Sequence, residues 1–295
     1  MPELTNKLAL GTANFGLIYG INNTHGHLTE GNAHEILQFA LSSGITTVDT
    51  AQGYGNSEEV IGNFRSSSLE IVTKLGQIPA GVKHVPKYIQ DQLNDSLRRL
   101  NKTQIHGLLL HSPDQLNGPM GSQIINTLSF LKTSGQVQKV GISIYSTETL
   151  NNIWNLFLPD IVQAPFNIFD QRLLHSGWVA KLLSQNVKIH LRSTFLQGLL
   201  SKPMNTLPTK FSKWRQIFIK FEEWQKRTGM SRTELALKFS LQQPWANKVI
   251  VGVDSPRQLS NLIKVSDSNM PDLPTSLANG IDDDLLINPT NWDDL

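Results

Sequence analysis

Apolar positions along this chain of 295 residues fall into two alternating periods. Between Thr29 and Ser43, Ala33, Ile36, Leu37, Ala40 and Leu41 recur at i, i+3, i+4, i+7 and i+8, the spacing of one helix face, and Gly44 closes the stretch. A short β-branched run follows at once, Ile45-Thr46-Thr47-Val48, which predicts a strand ending at Asp49. Asn56 or Ser57 then caps a short helix from Glu58 to Asn63. The alternation continues. Strand Leu69–Lys74 precedes a helix with Ile89, Leu93, Leu97 and Leu100 on one face, and Ile105–His111 precedes helix Ser122–Thr133. Val137–Ile142 leads to Thr147–Trp154, and Ile161–Gln163 leads to Leu173–Ser184. Val187–Arg192 precedes a long helical region over Trp214–Arg227 and Thr233–Gln242, and Lys248–Val253 precedes Pro256–Val265. With Leu8–Gly11 as the first strand, the pattern holds eight strand–helix units.

Strands alternating with helices argue for βαβ units and a parallel sheet. Eight such units in roughly 260 residues with no linker fit a (β/α)8 TIM barrel, an α/β fold, as a single domain spanning 1–295. A doubly wound open sheet is the alternative, but its Gly-x-Gly-x-x-Gly fingerprint is missing: the loop after the first strand reads Gly11-Thr12-Ala13-Asn14-Phe15-Gly16.

Composition narrows the class. Hydrophobic content of 39% with 17% charged residues suits a globular protein with a sizeable core. The absence of cysteine excludes disulfides, thiolate nucleophiles and thiolate metal sites. Met1–Lys7 lacks the basic and apolar regions of a signal peptide, and no apolar run approaches the roughly 20 residues of a membrane span, so a cytoplasmic protein is expected. Charge is uneven. Residues 265–295 hold seven Asp and no Lys or Arg, which leaves +9 on the preceding 264 residues against +2 for the whole chain. A basic body can favour an anionic cofactor or substrate, or be a solvated surface beside an acidic C-terminal segment (about 266–295); both readings stay open. Clustered Lys/Arg with interleaved aromatics are absent, which argues against a nucleic-acid partner. The sequence says nothing of oligomeric state.

Three strands deliver chemistry at their ends: Asp49, Lys74 and His111 close the second, third and fourth. A barrel of this class carries its active site on that face. Tyr54, between Gly53 and Gly55, stands on the loop after Asp49. Singly, each has a plain structural reading: a strand-end ion pair, a packed loop aromatic, a core histidine. Together they suit acid-assisted carbonyl reduction. Tyr54 would give a proton to the oxygen on which charge develops. The Lys74 ammonium would favour the phenolate, Asp49 would hold the lysine, and a His111 ring N–H would polarise the carbonyl. No metal is needed.

The residues Asp49-Thr50-Ala51-x-x-Tyr54-Gly55-x-Ser57-Glu58, Val72-Thr73-Lys74, Leu97-Arg98-Arg99-Leu100 and Leu108-Leu109-Leu110-His111 carry a resemblance. Val140-Gly141-Ile142-Ser143, Gln163, Gln197-Gly198-Leu199-Leu200, Val251-Gly252-Val253-Asp254-Ser255, Gln258-Leu259 and Asn261 extend it. Over nearly its whole length the chain resembles the aldo-keto reductase superfamily, bacterial members included. The resemblance implies a catalytic tetrad of Asp49, Tyr54, Lys74 and His111, with Tyr54 as general acid, and NADP(H) stretched across the barrel mouth. Carried over, Gly11, Thr12 and Asn14 approach the nicotinamide, while Ser143 and Gln163 bond its carboxamide. Ser193, Leu196, Gln197 and Gly198 follow the pyrophosphate, Ser255 and Arg257 meet the 2′-phosphate, and Gln258 and Asn261 meet the adenine.

Two positions depart from the superfamily's pattern: Ser143 is followed by Ile144 rather than Asn, and Arg192 stands where an aromatic usually stacks on the nicotinamide. Arg192 could stack on the ring or bind an anionic group. Phe15, Tyr19, Phe166 and Phe195 are candidate pocket residues. The C-terminal segment lacks a long apolar loop, so a small or sugar-derived carbonyl is expected. A nucleotide-sensing regulatory subunit, like the superfamily's channel-associated members, is the alternative.

Overall fold

Eight strands pair in chain order, every pair parallel, and the last closes on the first. This computed structural model describes residues 4–21, 26–266 and 270–295. Met1, Pro2, Glu3 and Asp267, used in reading the N-terminus and the acidic segment, lie outside them. The first half runs β1 (Leu8–Gly11), α1 (Ala13–Gly16), α2 (Glu30–Ser42), β2 (Thr47–Asp49), α3 (Ser57–Asn63), β3 (Glu70–Leu75), α4 (Val85–Arg99), β4 (Ile105–Leu110) and α5 (Gly121–Thr133). The second runs β5 (Val137–Ser143), α6 (Thr147–Ile153), β6 (Ile161–Pro165), α7 (Arg172–His175), α8 (Trp178–Ser184), β7 (Lys188–Arg192), α9 (Arg215–Thr228), α10 (Arg232–Leu241), β8 (Lys248–Val251), α11 (Pro256–Ser266) and α12 (Asp284–Ile287). The result is a single-domain (β/α)8 barrel.

The strands read as short apolar runs because both faces are covered, the outer by helices and the inner by the barrel's own filling. β2 and β6 are buried at every residue. Because side chains alternate across a strand, one parity of each strand points inward. Val72, Leu109 and Ile161 form their own buried cluster, apart from the large core between strands and helices. Two residues further along the same strands come Lys74, His111 and Gln163. Strand parity thus aims the polar strand ends at one another above an apolar plug.

The expected helix Leu173–Ser184 is two helices, because Gly177 between them sits at φ +78° and breaks the turn. The eighth strand ends at Val251, two residues before the expected Val253. The acidic segment folds back on the barrel. Asp283 Oδ2 accepts Trp214 Nε1 at 2.9 Å and pairs with Lys213 at 3.1 Å, and Asp284 pairs with Arg172 at 2.6 Å. Trp292 is buried edge-on against Phe211, ring centroids 4.9 Å apart.

Candidate active site

The ends of β2, β3 and β4 bring Asp49, Lys74 and His111 together. Lys74 is buried, and its Nζ donates to Asp49 Oδ2 at 2.7 Å and to the Thr50 carbonyl at 2.8 Å. Burial opposes the charge on Lys74, yet Asp49 and Tyr54 outweigh it and hold its pKa above the ordinary value. The Tyr54 ring centroid lies 5.0 Å from that ammonium. His111 meets Tyr54 edge to face at 6.2 Å between centroids. Burial, with the Lys74 and Arg192 cations, pushes the His111 pKa down to about 4, so its imidazole is neutral near pH 7.

The Tyr54 loop is fixed by close approach. A Cβ on Gly16 would sit 2.0 Å from the Tyr54 carbonyl oxygen, and one on Gly55 (φ +56°) 2.3 Å from the Gly16 carbonyl oxygen. Only paired glycines let α1 and this loop touch. The loop's far end is anchored by Ser57 Oγ, which donates to the Thr12 carbonyl at 2.9 Å, and Thr12 Oγ1 in turn donates to the Asp49 carbonyl at 2.9 Å. Glu58 is likewise a support: buried, it accepts Thr73 Oγ1 at 2.6 Å and Arg99 Nε at 2.7 Å.

A cavity of about 820 Å³ opens on this cluster. Asp49, Tyr54 and His111 line it, with Gly11, Thr12, Asn14, Tyr19, Ser143 and Gln163; Lys74 lies beneath. Arg192 lines it from the end of β7, Ser193, Gln197 and Gly198 from the loop that follows, and Gln258 and Asn261 from α11. Ser143 and Gln163, expected at a carboxamide, are joined to the acid: Ser143 Oγ donates to Gln163 Oε1 at 3.2 Å, and Gln163 Nε2 to Asp49 Oδ1 at 2.6 Å.

Besides Lys74, five expected residues stand outside the wall. Phe15 is buried in the core, and Leu196 is fully buried. Phe166 turns outward and stacks on Phe239 of α10 at 5.2 Å and against Trp245 at 5.1 Å, so it is core rather than pocket. Ser255 caps α11, its Oγ accepting Gln258 N–H at 3.2 Å, and Arg257 is exposed on the first turn of that helix.

The Arg192 guanidinium lies over the Tyr145 ring at 4.2 Å and donates to the Ile144 carbonyl at 2.9 Å and Ser193 Oγ at 3.0 Å. In the segment after β7, Ser193 (φ +60°), Leu196 (+47°) and Gln197 (+50°) all occupy the left-handed region, a costly conformation that concentrates at binding sites. Among the described residues two buried side-chain oxygens lack hydrogen-bond partners, Asn14 Oδ1 and Thr194 Oγ1, and both residues line the cavity. Tyr145, Thr194, Glu234 and Lys264 are wall residues beyond the expected set. Tyr145 and Thr194 were findable, since each stands two positions beyond an inward strand-end residue, Ser143 or Arg192. Glu234 and Lys264 ride on helices and gave no such signal.

The Aldo/keto reductase family profile matches residues 7–277, and the chain belongs to that family. It is similar to "Aldo-keto reductase YhdN" of Bacillus subtilis, 25% identical over 94% of this chain and 92% of that protein. A fission yeast "Putative voltage-gated potassium channel subunit beta" is 26% identical over 81% of this chain and 82% of that protein. Among solved structures, the aldo-keto reductase AKR11C1 from Bacillus halodurans in its holo form superposes with a TM-score of 0.72 at 21% identity, covering 90% of this chain and 88% of that one. The glycerol dehydrogenase AKR11B4 from Gluconobacter oxydans gives 0.68 at 23%, covering 92% and 89%. Family membership makes the chain an oxidoreductase of carbonyl and alcohol chemistry that uses a nicotinamide cofactor. Among the described residues no helix is long and apolar enough to cross a membrane, and no group of His, Asp and Glu could hold a metal ion.

Proposed function

We propose that this chain reduces a small or sugar-derived aldehyde or ketone to the alcohol, with NADPH as reductant and Tyr54 as general acid. The observation that carries the reading is the buried Lys74–Asp49 pair under the Tyr54 ring, at the floor of the large cavity. The cavity suits a dinucleotide: Asn14 Oδ1 and Thr194 Oγ1 are buried without partners and can take the amide and hydroxyl donors of such a ligand. Asn14, Ser143 and Gln163 would hold its nicotinamide end and Gln258 and Asn261 its adenine end. When bound, the nicotinamide supplies the hydride to the carbonyl carbon.

The protein's part is the proton and the charge. As the carbonyl oxygen gains negative charge, Tyr54 donates its phenolic proton to it. Lys74, kept charged by Asp49, stabilises the phenolate left behind. His111, with a pKa of about 4, stays neutral and donates a ring N–H to the same oxygen without adding a cation. The phosphate-bearing cofactor is favoured by Lys264 in the wall and Arg257 on the first turn of α11, whose N-terminus also attracts anions. A cysteine-free chain is at home in the reducing cytoplasm, where we assign it.

The test is NADPH oxidation against a panel of aldehydes and ketones, with Tyr54→Phe as control. Some carbonyl should accelerate oxidation, and the variant should lose at least about a hundredfold in kcat while still binding NADPH. If NADPH binds tightly and no carbonyl speeds its oxidation, the enzyme reading fails. The nucleotide-sensing alternative, suggested by the likeness to the potassium-channel β-subunit relative, would then replace it.

A further inference from the structure

Among the described residues at the catalytic end of the cavity, one charge lacks a counter-charge. The Lys74 ammonium is matched by Asp49 at 2.7 Å, and the His111 imidazole is neutral near pH 7. Arg192 stands in the same wall, but its partners are uncharged: the Tyr145 ring at 4.2 Å, the Ile144 carbonyl at 2.9 Å and Ser193 Oγ at 3.0 Å. Asp170, a carboxylate within reach of its field, is already held by Arg172 at 2.8 Å. The other charged wall residues, Glu234, Asp254 and Lys264, come from α10, the stretch after β8, and α11. A guanidinium cannot shed its proton at any working pH, and three contacts fix this one in place. A permanent positive charge is thus built into the end of the cavity where the chemistry takes place.

That charge reaches the reacting groups. After burial and Lys74, Arg192 is the next influence that depresses the His111 pKa. A hydride donor must stand within about 3.5 Å of a carbonyl carbon whose oxygen meets Tyr54 and His111. Ser143 and Gln163, which would hold the nicotinamide end, stand on β5 and β6, and β6 is the neighbour of β7. A nicotinamide so held lies in the field of Arg192. The reduced ring is neutral and the oxidised ring carries one positive charge, so a fixed cation tells the two redox forms apart. We infer that Arg192 sets the redox preference of the site, repelling the oxidised nicotinamide and so favouring the reduced cofactor by about tenfold. The inference rests on the proposed placing of the nicotinamide. It adds a direction: the protein loads reduced cofactor and sheds oxidised cofactor once the hydride has gone.

The experiment measures the dissociation constants of NADPH, NADP+, NADH and NAD+ by titration calorimetry in the unaltered protein, Arg192→Met and Arg192→Lys. The oxidised-to-reduced ratio should be about ten in the unaltered protein for both pairs, because both share the same ring charge. Arg192→Met, similar in length and uncharged, should shrink that ratio several-fold, while Arg192→Lys should keep most of it. Arg192→Gln repeats the neutralisation if the methionine variant does not fold. A ratio near or below one in the unaltered protein overturns the inference. So does an equal loss of both redox forms in the neutral variants, the result expected if Arg192 merely holds the pyrophosphate or the loop. Turnover does not enter these measurements, so either result leaves the reductase reading standing, and a sensor that reduces nothing would still show the preference. If none of the four nucleotides binds, the placing of the cofactor fails and the inference with it.

Discussion

Lys264 and Arg257 stand seven residues apart on α11, but only Lys264 enters the cavity wall, where the carboxylates of Asp254 and Glu234 also lie. Asp254 is partly engaged, its Oδ1 accepting Asn14 Nδ2 at 3.0 Å. A 2′-phosphate at that end would need a cation close enough to outweigh both acids, and lysine in the wall is better placed than arginine on the exposed turn. Lys264→Ala should therefore weaken NADPH by about tenfold and NADH by much less, with Arg257→Ala a smaller loss of the same kind. Titrating both cofactors into both variants measures this, and equal losses for NADPH and NADH would remove the reason to favour the phosphate form. This also marks what a sequence can and cannot disclose. Asp49, Lys74 and His111 were legible because strand ends and strand parity together dictate where their side chains go. Phe166 was not: an aromatic just past a strand end gives no hint whether it faces the mouth or, as here, the ring of Phe239.

The strand β7 shows a second consequence of the inward parity. His190 lies two positions before Arg192, 5% exposed inside the barrel. Burial first, then Lys248, His106, Lys74 and Lys139, push its pKa down to about 3. An unfolded histidine titrates near 6.5. As pH falls below that value the unfolded chain gains a proton that the folded chain refuses until about pH 3. Stability from this group is therefore full above pH 6.5 and drains away between there and 3, at up to about 1.4 kcal/mol per pH unit. His111 acts with the same sign down to about 4. Melting temperatures measured from pH 7 to pH 4 should fall, and His190→Gln should give a shallower slope; an unchanged slope would show that other groups set the acid limit. At this scale the eight units were readable from periodicity, because each helix must cover a strand and so repeats its apolar stripe. Their ends were less readable. The break at Gly177 depends on a left-handed backbone angle that a helical pattern running through Leu173–Ser184 conceals.

At the scale of the molecule, the charge asymmetry between body and C-terminal segment becomes contact rather than tail. Arg172 links the two: it donates to Asp284 at 2.6 Å, to buried Asp170 at 2.8 Å, and to the carbonyl of Tyr145, the residue under Arg192, at 3.1 Å. Charge alone is a weak anchor here. Asp284 is 57% exposed, and an exposed ion pair contributes less than about 1 kcal/mol. Burial is the stronger hold, since Trp292 packs on Phe211, donates its Nε1 to the Leu286 carbonyl at 2.9 Å, and receives Lys210 Nζ on its own carbonyl at 2.6 Å. Trp292→Ala should thus cost about 3 kcal/mol in urea unfolding, whereas Asp284→Asn should cost less than about 1. Asp170 would keep Arg172 oriented toward Tyr145 in the second variant, so its carbonyl reduction should stay close to that of the unaltered protein. If instead Asp284→Asn destabilises as much as Trp292→Ala, or disturbs turnover while stability holds, the segment is held by its charge and acts on the site through Arg172.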